Sequence, residues 1–463
     1  MRAPDDRQDE ADPFALSALA NDSEIMPLHD FHAWLGAQRA AMTLEVRRVP
    51  LAAMDAWEAT AAPHSLMHRS GKFFSVEGLR ARTDFGPTPV WDQPIIRQDE
   101  VGILGILVRR IDGAYHFLMQ AKVEPGNING VQLAPTVQST RSNYTQVHGG
   151  RQAPYTAYFL GQANGRVLID RLLTEQGARF LNKCNRNMIV EVGADVEVED
   201  GFCWLTLGQI GQLLREDNLV SMSSRSILSC IPFNANASSL YPLGQGGRST
   251  LHREDESLNW LNSLRARYTL RREQRPLNQL DGWIVDDDAI RHESGRHFAV
   301  IGVEVTATAR EVLHWNQPIL AHSGDGINGF LLQRRNGVPH LLVRACMFPG
   351  NGLLFELGST VSRSNGWAHL GLASQPPFLE YFFNPPAARI RYQGRHSEEG
   401  GRFYHYVSQY MIVEIPEEQD FALPENFQWM SIDQFRQFNH YGYVNIEGRN
   451  MLTCLSLTQN LII

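Results

Sequence analysis

A repeat with a spacing of 224 residues constrains this chain more than any other feature. His68-Arg-Ser70-Gly71-Lys-Phe-Phe74 returns as His292-Glu-Ser294-Gly295-Arg-His-Phe298, and Trp91-Asp-Gln93-Pro94 returns as Trp315-Asn-Gln317-Pro318, both 224 positions later. Pro125-Gly126-Asn127 and Pro349-Gly350-Asn351 keep that spacing, while Met188-Ile-Val-Glu191 and Met411-Ile-Val-Glu414 slip to 223. Arg225-Ser-Ile-Leu-Ser-Cys230 and Arg449-Asn-Met-Leu-Thr-Cys454 return to 224, and Trp34-Leu35 has a counterpart in Trp260-Leu261. Chance does not hold one offset over so long a stretch, so the chain is a tandem duplication. Its 463 residues accommodate two copies, each long enough to bury a core. The expected division is a disordered acidic leader over 1–24, a first module over 25–233, a Gly/Ser-rich seam over 234–255 and a second module over 256–463.

Several function classes are disfavoured. A formal charge of −8 argues against a nucleic-acid binder, which needs a basic face. The longest apolar runs, such as 101–108, fall far short of the roughly 20 residues that span a bilayer, and the leader has no apolar segment of a signal peptide. Five scattered cysteines without a C-x-x-C indicate neither a disulfide framework nor a zinc site, and a reducing cytoplasm is the expected location. There is no Walker loop, no H-E-x-x-H and no nucleophile elbow; Gly244-Gln-Gly246 lies in the seam rather than between a strand and a helix. Neither a cofactor nor a metal is expected.

Each copy reads as a mixed α+β module. Asp30 is placed to cap an opening helix with Phe31, Trp34 and Leu35 on one face. β-rich runs over 101–109 and 115–122 flank Asp112-Gly113, and the second copy has Asn336-Gly337 there; such dipeptides supply the positive φ of a tight hairpin. Short extended segments follow over 131–137 and 355–361. Helices are expected over 169–182 and 398–406, where Glu175 and Arg179, and Glu398 and Arg402, stand at i,i+4 spacing. Strands over 188–192 and 411–415 come next, then closing helices capped by Thr206 and Ser431.

The densest polar block is 122–151, KVEPGNINGVQLAPTVQSTRSNYTQVHGGR. It reads either as a long solvated loop or as a ligand loop. For the second reading, it is poor in acids within an acidic protein and combines cations, amides, a phenol and an imidazole. Such an inventory suits a sugar diphosphate: Arg forks to phosphate, amides bridge hydroxyls, and His or Tyr moves protons.

With this block the chain resembles the nucleotide-hexose 2,3-dehydratases of deoxysugar biosynthesis. The carrying residues are Val101-Gly-Ile-Leu-Gly105, Gln120-Ala-Lys122-Val-Glu124-Pro-Gly-Asn127-Ile-Asn129, Gln132-Leu-Ala-Pro-Thr136, Arg141-Ser-Asn-Tyr144 and Val147-His148-Gly-Gly150. Glu175-Gln-Gly177, Asn185-Arg-Asn187-Met188 and Trp204-Leu-Thr-Leu-Gly208 continue it. The resemblance covers nearly the whole chain from about Asp30 and includes the duplication. It implies two tandem Nudix-like units, a homodimer, and loss of water across C2 and C3 of a dTDP-4-keto-6-deoxyhexose without a redox cofactor. A 3-ketoreductase or aminotransferase would act downstream. The metal box of Nudix hydrolases is missing; Glu175-Gln-Gly177 and Glu398-Glu399-Gly400 would be its remnant.

For that reaction the residue types suggest Tyr144 or His148 for proton transfer, Lys122 as a donor to the C4 oxygen or a phosphate, and Glu124 or Glu175 as base or as the partner orienting the lysine. Arg141, Arg151 and Arg179 are candidates for the pyrophosphate. Asn127, Asn129, Gln132, Thr136 and Asn143 complete the expected binding set, with Asn351, Glu356, Thr360 and Arg402 in the second copy. Trp91 and Trp315 stack on the base or pack in the core. The second copy departs from the first, having Cys346 and Phe348 where the first has Lys122 and Glu124, which favours catalysis in the first. Rival readings are a non-catalytic nucleotide-sugar-binding module and a keto-sugar isomerase or epimerase.

Overall fold

Asp112-Gly113 and Asn336-Gly337 each turn a hairpin within a seven-stranded sheet, with φ of 49° and 84° in the first and 53° and 72° in the second. In the computed structural model, which describes residues 12–60, 64–145, 153–232, 250–308, 312–364 and 376–458, the first sheet runs Arg166–Thr174, Cys184–Glu191, Gly102–Ile111, Ala114–Val123, Phe202–Leu205. Val131–Pro135 and Val137–Ser139 pair with the two hairpin strands. The second copy repeats this order from Ile390–Ser397 through Val407–Ile415, Gly326–Arg335 and Val338–Cys346 to Phe427–Ser431. Gly102–Ile111 is an apolar run buried along most of its length, as a strand covered on both faces should be.

Each copy adds a six-stranded sheet, and here the copies exchange strands. Leu44–Val49 leaves the first copy to pair with Ala299–Ala307 of the second. Leu270–Arg275 leaves the second to pair with Ser75–Thr83 of the first. The main core is shared as well: Phe117, Leu207 and Ile210 form one cluster with Phe330, Phe355, Phe435 and Met451, all 0% exposed. Two copies in sequence are therefore one interlocked body.

The structure corrects four expectations. The opening helix Leu28–Ala41 starts after Pro27, not Asp30; proline's fixed φ suits the entry, and Asp30 sits in the first turn, where the helix dipole favours its charge. Part of the expected disordered leader is a helix, Pro13–Leu19, capped by Asp12, whose Phe14 packs on Tyr115. The helix Glu254–Arg267 begins inside the expected seam, of which 234–249 lies outside the described residues. Finally, neither 169–182 nor 398–406 is helical. Arg166–Thr174 and Ile390–Ser397 are strands laddered on Cys184–Glu191 and Val407–Ile415, and the backbone then turns. A full ladder of backbone hydrogen bonds outweighs one i,i+4 pair worth a few tenths of a kcal/mol. The closing helices start at Leu207 and Ile432, with capping boxes Thr206–Gln209 and Ser431–Gln434.

Candidate active site

The glycine and asparagine of the repeated Pro-Gly-Asn lock the copies together, while Pro125 borders a cavity. Gly126 N donates to Gly400 O at 2.7 Å and Gly126 O accepts from His405 N at 2.9 Å; Gly350 makes the mirror pair with Gly177 O and Asn182 N, both at 2.7 Å. A methyl group on Gly126 would stand 1.7 Å from the Phe403 carbonyl oxygen, and one on Gly350 would stand 1.7 Å from that of Phe180. Asn127 and Asn351, expected on substrate, are buried in this clasp.

On either side of the clasp lies a cavity with walls from both copies. The first, about 420 Å³, takes Lys122, Glu124, Gln138, Glu175, Lys183 and Asn185 from the first copy and Trp315, Gln317, Glu399 and Arg402 from the second. The second, about 860 Å³, takes Asn328, Glu398, Tyr406 and Glu447 from the second copy and Trp91, Gln93, Gln176 and Arg179 from the first. Adjacent residues thus face opposite cavities: Glu175 and Gln176, and again Glu398 and Glu399. The Trp-x-Gln-Pro motif has a local reason. Trp315 Nε1 donates to Gln317 Oε1 at 2.9 Å, and Gln317 Nε2 donates to Gly401 O at 2.7 Å, one residue before Arg402. Trp91, Gln93 and Ala178 repeat this beside Arg179.

In the first cavity Lys122 Nζ stands 3.4 Å from Glu124 Oε1, with the side chains 13% and 12% exposed. Gln138 Nε2 donates to Glu124 Oε1 at 3.2 Å and to Glu399 Oε1 at 3.4 Å, bridging the copies. Burial, then repulsion from Glu124, pushes Glu399 up to about 7. Burial raises Glu175 as well, against the pull of Arg449, the 2.6 Å hydrogen bond from Asn185 Nδ2 and the charge of Lys183. Lys183 is lowered by burial. Arg402, also lowered by burial, lies 4.0 Å from the Phe74 ring centroid.

The second cavity has different chemistry at the matching positions. Tyr406 stands in place of Lys183, stacked at 3.9 Å on His322. Burial holds His322 well below its ordinary value, raises Tyr406, and brings Glu398 to about 7. Arg179, expected beside Arg141 and Arg151, belongs here, 4.2 Å from the Phe298 ring centroid and lowered by burial to about 10.

Other expected residues fall elsewhere. Thr136 Oγ1 accepts from Leu107 N at 2.9 Å and donates to Leu118 O, and Thr360 does the same between Leu331 N and Leu342 O, so both stitch strands. Asn129 and Gln132 bond each other, and Gln132 Nε2 reaches Ser397 Oγ at 2.6 Å. Glu356, fully buried and pushed by burial to about 7, accepts from Thr174 Oγ1 at 2.8 Å. Tyr144 packs on a separate apolar cluster with Tyr155 and Tyr158. Asn143 lines the first cavity, and Arg141 lines an adjoining space of about 470 Å³ with Lys72 and Arg97. His148 and Arg151 lie outside the described residues. Lys183, Asn185 and Glu399 were missed. The polar face Lys183, Asn185, Asn187 at the head of an apolar strand was the available signal for the first two.

A sequence profile for NDP-hexose 2,3-dehydratases matches residues 28–231 and again 254–455. This chain belongs to that family. Three relatives carry the name dTDP-4-dehydro-6-deoxy-α-D-glucopyranose 2,3-dehydratase. That of Saccharopolyspora spinosa is 42% identical, with 96% of this chain and 94% of the relative covered. That of Amycolatopsis orientalis is 42% identical (98% and 95% covered), and that of Streptomyces violaceoruber is 40% identical (92% and 96%). The resemblance read from the sequence is borne out, and with it the reading as a nucleotide-sugar 2,3-dehydratase, a hydro-lyase. Family membership places the two matched segments on the two interlocked copies. All five cysteines are free, and among the described residues no helix is long and apolar enough to cross a membrane.

Proposed function

We propose that this dehydratase acts on a dTDP-4-keto-6-deoxyhexose and that the first cavity is where water is lost. What supports this cavity is its pairing of two lysines with three carboxyl groups, one of them near 7, in a space closed by both copies. Glu175 takes the C3 proton, acidified by the C4 ketone. Lys122 and Lys183 meet the negative charge that develops on the C4 oxygen, and such stabilisation by fixed charges usually contributes more to the rate than any other effect. The enolate then collapses, C2–C3 becomes a double bond, and the C2 hydroxyl departs as water with a proton from Glu399. The enol so formed tautomerises to the 3,4-diketo-2,6-dideoxy sugar, which a ketoreductase or an aminotransferase would consume. Arg141 and Lys72 at the mouth take the pyrophosphate. The modules descend from a Nudix-like unit, and the enzyme works in the cytoplasm as a homodimer.

Proton NMR in D₂O with dTDP-4-keto-6-deoxyglucose tests the reaction. The expected result is loss of the C2 and C3 carbinol signals with a deuterated methylene at C2. Deuterium entering C3 with the C2 hydroxyl retained would instead identify an isomerase or epimerase, and nucleotide binding without turnover would identify a binding module.

A further inference from the structure

The repeat Arg225-Ser-Ile-Leu-Ser-Cys230 and Arg449-Asn-Met-Leu-Thr-Cys454 is absorbed by neither cavity. Its arginines are among the most buried side chains of the molecule, at 0% and 1% exposed. Burying a guanidinium is costly unless its donors are satisfied, and both arginines divide their Nη donors between their own copy and the other. Arg449 Nη1 donates to Val444 O at 2.7 Å in its own copy, and Nη2 donates to Thr174 O at 2.5 Å in the other. Arg225 Nη1 donates to Val220 O at 2.6 Å, and Nη2 donates to Ser397 O at 3.0 Å. Thr174 immediately precedes Glu175, and Ser397 immediately precedes Glu398. The same two residues are gripped a second time, through their hydroxyls, by Glu356 and Gln132 of the opposite copies.

We propose that Arg449 is the positioning residue for Glu175, reaching over from the second copy to fix the backbone that aims this carboxylate into the first cavity, and that Arg225 does the same for Glu398. The inference rests on the reading of Glu175 as the proton acceptor. The groups that face Glu175 are Arg449, Lys183, Cys184, Glu399 and Glu447. Among the cations Arg449 acts most strongly, so removing its charge raises Glu175 further. Glu175 acts ionised; the acid limb of kcat/KM therefore moves to higher pH.

The test is the pH dependence of kcat/KM for the full-length enzyme and for Glu175→Gln, Arg449→Gln and Arg225→Gln. The expected outcome is loss of turnover in Glu175→Gln, an acid limb about one pH unit higher in Arg449→Gln with KM held, and an unmoved limb in Arg225→Gln. An unmoved limb in Arg449→Gln beside an inactive Glu175→Gln overturns the positioning role and leaves the base assignment standing. Wild-type turnover in Glu175→Gln overturns both. Should Arg449→Gln fail to fold, Arg449→Lys keeps the charge but loses the fork. It is then expected to lower kcat about tenfold, with KM and the limb held, and a wild-type kcat overturns the proposal.

Discussion

At the scale of single residues, the first cavity separates two carboxyl groups by environment. Burial raises both; Glu399 has the neighbouring Glu124 added against its ionisation, while for Glu175 the pull of Arg449, Asn185 and Lys183 works against the burial. A group at about 7 that must be protonated to give up its proton loses activity as pH rises, so kcat/KM should fall on an alkaline limb near 7. A rate still climbing through pH 8 would remove Glu399 as the acid. Arg141 is exposed beside Lys72 at the mouth. Arg141→Ala is expected to weaken dTDP binding about tenfold at low salt and to flatten its salt dependence, as read by calorimetry. Unaltered affinity would place the pyrophosphate elsewhere.

At the scale of elements, the clasp and the opening helix make opposite predictions for the same substitution. Gly126→Ala puts a methyl group into the Phe403 carbonyl and should cost about 1–3 kcal/mol, lowering Tm. Gly36→Ala, in the helix Leu28–Ala41 with no atom within 4 Å of the added methyl, should stabilise the fold by up to about 1 kcal/mol and so raise Tm. Thermal melts of the two variants check both signs. What was legible in the sequence was what local chemistry decides: the Asp-Gly and Asn-Gly hairpins, and the Thr206 and Ser431 caps. The 169–182 and 398–406 segments were misread because Glu175 and Arg179 stand at a helical spacing yet face different cavities, and only a distant strand pairing decides that. Asn127 and Asn351 carried a repeated motif whose cause is contact between copies. No composition argument separates such a motif from one that binds substrate.

At the scale of the whole molecule, the duplication has produced one body with unlike cavities. Strands 44–49 and 270–275 are exchanged, and Phe117 shares a core with Phe330 and Phe435. Residues 1–232 expressed alone should therefore expose that core and fail to give a cooperative melt, whereas co-expression with 250–463 should restore one. An autonomous first half would contradict the interlocked fold. The chemistry follows the same asymmetry: Lys122, Glu124 and Lys183 of the first cavity correspond to Cys346, Phe348 and Tyr406 of the second copy, of which Phe348 and Tyr406 line the second cavity. Which cavity turns over is decided by the rate of C2 deoxygenation, followed by proton NMR, in Glu399→Gln against its neighbour Glu398→Gln. Catalysis in the first cavity predicts a loss of about 10²–10⁴-fold in Glu399→Gln and a rate within about tenfold of wild type in Glu398→Gln; the reverse pattern would contradict it.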